Sequence, residues 1–135
     1  TLVDDYAHHP TEVLATVEVG RDLAKGRLWA VFQPHLYSRT ERFHEEFGAA
    51  LSGADEVVIT DVYGSREEPV PGVTGALVVE AARRHGASAQ YVPHRRDLAD
   101  FLAERVAEGD LVLTMGAGDI TLVPTELAIR LAERS

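Results

Sequence analysis

A chain of 135 residues with 45% apolar and 26% charged side chains suits one compact domain with a full hydrophobic core. Its formal charge of −9 argues against a general binder of nucleic acid or anionic membrane, and no apolar run approaches the ~18 residues of a membrane span. Without cysteine there are no disulfides and no thiolate metal sites, so any metal would rest on oxygen or imidazole ligands.

The chain begins at Thr1 rather than Met, shows no signal-peptide pattern and runs straight into a motif, which reads as a piece of a longer protein. Thr1-Leu2-Val3 is extended and apolar, and Asp4-Asp5-Tyr6-Ala7-His8-His9-Pro10-Thr11-Glu12 follows. His9 in the N-cap place, Pro10 at the first helical position and Glu12 in the first turn fit a helix start. The polar cluster therefore sits at a strand-to-helix switch, where α/β sheets place ligands. The plain alternative is that these residues only cap a helix.

From Thr11 to Lys25, apolar Val13, Leu14, Val17, Leu23 and Ala24 predict a helix closed by Gly26. Leu28 to Phe32 is an uninterrupted apolar run, the mark of a parallel strand buried on both faces. After a loop at Gln33 to Tyr37, Ser38-Arg39-Thr40-Glu41 reads as a capping box, and Phe43, Phe47, Ala50 and Leu51 line a helix ending near Gly53. The alternation repeats: a strand over Glu56 to Thr60, a helix lined by Val73, Leu77 and Ala81 that stops by Gly86, and a strand over Ala89 to Val92. A helix lined by Leu98, Phe101, Leu102 and Val106 ends at Gly109, a strand spans Leu111 to Met115, and Leu127, Ala128 and Leu131 belong to a closing helix. This order predicts one α/β domain over 1–135, an open, mostly parallel sheet with helices on both faces. Right-handed crossovers place all strand carboxyl ends on one edge, where the opening cluster should meet the turns Gln33 to Arg39, Asp61 to Glu68 and Gly116 to Asp119.

Asp4 and Asp5 suit a metal or a pair of ribose hydroxyls, since a carboxylate accepts two hydrogen bonds in a fork. His8 and His9 are adjacent, so their rings diverge, and no metal site is assigned. Arg39 in a first helical turn opposes the helix dipole, which hints that it serves an anion. Gly116-Ala117-Gly118-Asp119 lacks the full dinucleotide fingerprint and reads better as a tight strand-to-helix turn. A phospho-receiver domain would need a lysine on a late strand; the single lysine, Lys25, lies on the first helix, so that reading fails.

Taken together, Asp-Asp-Tyr-Ala-His-His-Pro-Thr-Glu (4–12), Phe-Gln-Pro-His-Leu-Tyr-Ser-Arg-Thr (32–40) and Thr-Met-Gly-Ala-Gly-Asp-Ile (114–120), with Val62-Tyr63 and Glu-Pro-Val-Pro-Gly (68–72), resemble the C-terminal domain of the Mur ligase family. The resemblance spans essentially the whole chain. It implies a Rossmann-like domain that works with an N-terminal UDP-binding domain and a central ATPase domain, neither of them in this chain. The family turns a carboxylate into an acyl phosphate with ATP and Mg²⁺, and the amine of an amino acid then displaces phosphate. The His-His-Pro form points to the member that joins L-alanine to UDP-N-acetylmuramate or to the murein-peptide recycling ligase; Tyr6 and Glu12 lean toward the former. A non-catalytic Rossmann-like binding module is the alternative from another class.

Carried over by position, the resemblance implies that Asp5 holds the ATP ribose and that His8 faces the reacting phosphate and amino acid as the catalytic group. It places Tyr6 nearby and Arg39 on the L-alanine carboxylate. At Leu36 many relatives carry a second arginine, which leucine cannot replace. The resemblance further implies a cytoplasmic enzyme of peptidoglycan synthesis, inactive as an isolated domain, whose domains close over the substrates by a hinge at the opening motif.

Overall fold

Leu28, Ala30 and Phe32 face one side of a sheet while Trp29 and Val31 face the other, and all are buried. Apolar residues at every position are what a strand needs when both its faces are covered. In the computed structural model, which describes residues 1–134, this strand is the middle of a five-stranded sheet. The strands β1 (Leu2–Asp5), β2 (Leu28–Phe32), β3 (Glu56–Ile59), β4 (Ala89–Tyr91) and β5 (Leu111–Met115) lie in the order β1-β5-β2-β3-β4. Every pairing is parallel, so the expected mostly parallel sheet is wholly so.

Helices α1 (Pro10–Leu23), α2 (Tyr37–Leu51) and α3 (Ala76–Arg84) cover one face through Val13, Val17, Phe47, Leu51, Val78 and Ala82. Helices α4 (Leu98–Ala103) and α5 (Val123–Arg134) cover the other through Leu98, Leu102, Val123 and Leu127. Among the described residues no helix is long and apolar enough to cross a membrane.

Several details of the expected elements change. The buried line of α1 is Val13, Val17 and Gly20, while Leu14 and Leu23 are exposed, because residues four and three apart share one face. Helix α1 also stops at Leu23, short of Lys25. Val73 is buried but precedes α3, whose inward residues are Val78, Val79, Ala81 and Ala82 rather than Leu77. Helix α4 ends at Ala103, which leaves Val106 beyond it. On α5 Leu127 is buried and Ala128 is exposed.

Two carboxylates pin the amino ends of the central strands. Asp110, 4% exposed, accepts the backbone N–H groups of Arg27 and Ala107 and the Trp29 indole N–H. Burial pushes its carboxyl upward, but these bonds and the Arg27 charge outweigh it, so it lies below the ordinary aspartate range. Asp55 does the same for the Leu28 N–H and the Arg21 guanidinium.

Gly48 sets the spacing of α2 and α3. A Cβ there would lie 2.5 Å from the Ala81 Cβ and 2.6 Å from backbone atoms of Ala81 and Ala82. Alanine favours a helix over glycine by about 1 kcal/mol, yet forced overpacking costs about 1–3 kcal/mol and should win here. Gly48→Ala is therefore expected to lower the denaturant midpoint. A midpoint that stays or rises would mean that the two helices pack further apart than shown.

Candidate functional site

All strand carboxyl ends lie on one edge, and the side chains there are placed by the turns that leave them. Phe32 pairs with both Met115 and Ile59, so β2, β5 and β3 release their chains at the same level. The turn after β1 is closed by Asp5, whose Oδ1 accepts the Ala7 N–H at 2.8 Å. Such an Asx turn reverses the chain within a few residues. Glu12 then reaches back: its Oε1 accepts the N–H of His8 at 3.3 Å and of His9 at 3.1 Å. Those bonds, the His8 one first, hold its carboxyl below the usual glutamate range. The expected helix start at His9-Pro10 is present.

The His8 ring sits with its Nδ1 3.0 Å from the Tyr6 carbonyl oxygen. A carbonyl only accepts, so Nδ1 carries a proton, and in the neutral ring Nε2 is the nitrogen with the lone pair. The ring is the middle of an aromatic row: Tyr6 meets its edge at 5.4 Å and His35 at 6.0 Å, and His35 stacks on Tyr63 at 6.1 Å between ring centres. Tyr6 is 66% exposed, open to a partner or ligand from outside the domain.

His35 is tied to Tyr63 by a short parallel bridge, in which the Tyr63 N–H donates to the Pro34 carbonyl and the Leu36 N–H to the Tyr63 carbonyl, each at 2.9 Å. Leu36, whose N–H closes this bridge, has φ +70°, a strained region for leucine costing about 1–3 kcal/mol. The Leu36 carbonyl in turn accepts the Thr40 N–H and hydroxyl, which starts α2. Held this way, Arg39 brings an Nη1 to 3.5 Å from the His35 Nδ1. Guanidinium nitrogens only donate, so this His35 nitrogen is the unprotonated one.

The capping box expected at Ser38 and Glu41 does not form. Helix α2 already starts at Tyr37, so Ser38 lies inside its first turn, and the cap comes from another loop. Glu67 Oε1 accepts the Ser38 N–H, and its Oε2 accepts the Ser38 hydroxyl. The same two bonds, the hydroxyl's first, hold Glu67 below the ordinary range. A carboxylate at the amino end of α2 balances the dipole that Arg39 opposes.

Gly116-Ala117-Gly118-Asp119 is a tight turn, and the reason for its glycines is contact. A Cβ on Gly118 would lie 2.6 Å from both the Gln33 Oε1 and the Tyr63 ring, and one on Gly116 would lie 2.8 Å from Ile120 Cγ2. Asp4 serves the sheet, accepting the Thr114 hydroxyl at 2.8 Å. Asp5 also lies at the mouth of a largely apolar groove of about 210 Å³, lined by Val3, Thr16, Gly20, Leu111 and Leu113. No group of three or more carboxylates or imidazoles among the described residues gathers to hold a metal ion.

The structure thus brings Tyr6, His8 and Arg39 to one place through His35, a residue that sequence reasoning had not singled out. Asp5 ends β1 directly before Tyr6 and lines the groove. His35, Tyr63 and Gln33 carry a faint signal in the sequence: polar or aromatic residues directly after apolar strands. Their contacts depend on a bridge between distant loops.

The family described as "Mur ligase, glutamate ligase domain" matches residues 1–118. A UDP-N-acetylmuramate–L-alanine ligase of Cutibacterium acnes is 54% identical over 91% of this chain, and one of Kineococcus radiotolerans is 54% identical over 98%. The chain spans 26% and 28% of the lengths of those two relatives. The crystal structure of UDP-N-acetylmuramate-alanine ligase MurC from Thermotoga maritima superposes with a TM-score of 0.79 at 27% identity, covering 99% of this chain and 27% of that one.

Burial first, then the Arg39 charge, pushes the His35 imidazole below its ordinary value of 6.5. Between the two values the folded protein holds fewer protons at His35 than the unfolded chain does. Its contribution to stability is therefore full above 6.5 and is lost as pH falls toward the folded value. The His35 ring should titrate below 6.5 by NMR, and His35→Asn should flatten part of the stability loss on acidification. A ring that titrates above 6.5 would contradict the assigned environment.

Proposed function

The chain belongs to the Mur ligase family, and from that premise we propose that it is the C-terminal, amino-acid-handling domain of an ATP-dependent ligase that joins L-alanine to UDP-N-acetylmuramate in peptidoglycan precursor synthesis. In this reading, UDP-binding and ATPase domains lie outside the chain and the enzyme acts in the cytoplasm. The observation that carries it is the gathering of Arg39, neutral His35 and His8 beside Asp5 at one edge.

Arg39 binds the L-alanine carboxylate, with its forked guanidinium fixing direction as well as charge. Leu36 contributes only its backbone, so Arg39 works with the unprotonated His35 beside it instead of a second arginine. A neutral neighbour leaves the full guanidinium charge for the substrate. With the carboxylate held, the amine is aimed at the acyl phosphate carbon, which shortens the search for a reactive geometry.

The His8 Nε2 lone pair takes a proton from the incoming ammonium, since only the neutral amine attacks. The new C–N bond forms, the C–O bond to phosphate breaks, and inorganic phosphate leaves with the electron pair and takes up the second N–H proton, which leaves the neutral amide. Asp5 has one oxygen in its own turn and its other oxygen free of hydrogen bonds among the described residues, which suits a ribose hydroxyl of ATP. Mg²⁺, when bound, neutralises phosphate charge; this domain gathers no three-carboxylate or three-imidazole set of its own for it.

In the complete enzyme, Arg39→Ala is expected to raise the KM for L-alanine about 10- to 100-fold and to leave the KM for ATP nearly unchanged. Asp5→Ala should do the reverse. If ligation proceeds with unchanged constants in both variants, the domain is a non-catalytic binding module and the proposal fails.

A further inference from the structure

Asp119 belongs to none of the steps above, yet it stands between two parts of the molecule that the site depends on. Its Oδ1 accepts the Gln33 side-chain N–H at 2.7 Å, and its Oδ2 lies 3.2 Å from the Arg95 Nε. Arg95 comes from the short 3₁₀ turn after β4 and is itself held by Glu126 of α5 at 2.8 Å.

Gln33 is 3% exposed, and its side chain is committed at both ends: Oε1 accepts the Ile120 N–H at 3.2 Å while Nε2 donates to Asp119. A carboxylate can only accept and a backbone N–H can only donate, so the amide has one orientation. Gln33 is therefore keyed into the turn from both sides. That turn also supports Tyr63, whose ring rests against Gly118. Tyr63 stacks on His35, and His35 meets Arg39. Two supports consequently run from Asp119 to the carboxylate-binding end of α2. One passes along the chain from Gln33, the other through Gly118 and the Tyr63 ring.

We propose that Asp119 is a positioning residue: braced by Arg95, it fixes Gln33 and the Gly116–Gly118 turn, and through them the His35–Arg39 pair that orients the amino acid. The inference rests on the amino-acid reading of Arg39. The Asp119 side chain is 45% exposed, and ion pairs at such sites add little to stability. Arg95 also keeps Glu126 as a partner when Asp119 is removed, so no charge is left unpaired, and the cost to the fold is the single Gln33 hydrogen bond, which the melting temperature reads. Displacement of a positioning group by a fraction of an ångström is, by contrast, costly to a reaction that depends on alignment.

The test is a double-mutant cycle in the complete enzyme, reading the KM for L-alanine, the KM for ATP and the melting temperature. Asp119→Ala is expected to raise the L-alanine KM by about three- to tenfold, with the ATP KM changed less than about twofold. In an Arg39→Ala background the same substitution should cause no further rise, because the support has nothing left to orient. Asp119→Asn, whose carbonyl still accepts from Gln33 but offers no charge to Arg95, should fall between; it carries the comparison alone if Asp119→Ala does not fold. An unchanged L-alanine KM, or an equal rise in both backgrounds, overturns the positioning role while the reading of Arg39 stands. If Arg39→Ala itself leaves that KM unchanged, the amino-acid reading falls, and the positioning role with it.

Discussion

The register of the three central strands is the constraint on which the site depends. With Phe32 beside Met115 on one side and Ile59 on the other, the chain leaves β5, β2 and β3 at a common level. The turns that follow must then share a small space, and they interlock. Tyr63 bridges to His35, Gln33 enters the glycine turn, and the Asp5 carbonyl accepts the Gly116 N–H. A slip of one residue in β2 would reverse every side chain of the strand and would also pull Gln33 out of register with the turn that receives it.

Electrostatic placement at this edge is economical. The domain is acidic overall, with a formal charge of −9, yet the Arg39 guanidinium beside His35 meets no carboxylate within ion-pair distance among the described residues. The acidic groups near it are used elsewhere: Glu12 on the His8 and His9 amides, Glu67 on Ser38. Desolvation keeps His35 from competing as a second positive charge. Leu36, directly after His35, carries a strained φ of +70° while its N–H closes the bridge that holds His35.

The central strands were legible in the sequence because β2 is apolar throughout, β5 is so apart from Thr114, and β3 lies between acidic residues. Helix starts marked by their own residues were legible too, as at His9-Pro10 and Glu12. Where a helix is capped from a distance, local reading failed: Ser38 looks like the start of a capping box, but its partner is Glu67 from another loop. Apolar content misled in the same way at Leu14 and Leu23, where hydrophobic side chains lie on the outer face of α1. Of the candidate site, Asp5, Tyr6, His8 and Arg39 were named through the family motifs. His35, Tyr63 and Asp119 lie in those motifs too, but what they touch was not legible, since their contacts join turns far apart in the chain.

In the proposed reading, this domain edge supplies the amino-acid half of a ligation site and the ribose contact of its nucleotide. A crystal structure of the complete enzyme with a non-hydrolysable ATP analogue and L-alanine tests this most directly. It should show the alanine carboxylate on the Arg39 guanidinium at about 2.8 Å, with the His8 imidazole facing the amine and Asp5 on the ribose. An alanine carboxylate held by another cation, with Arg39 turned to solvent, would contradict it.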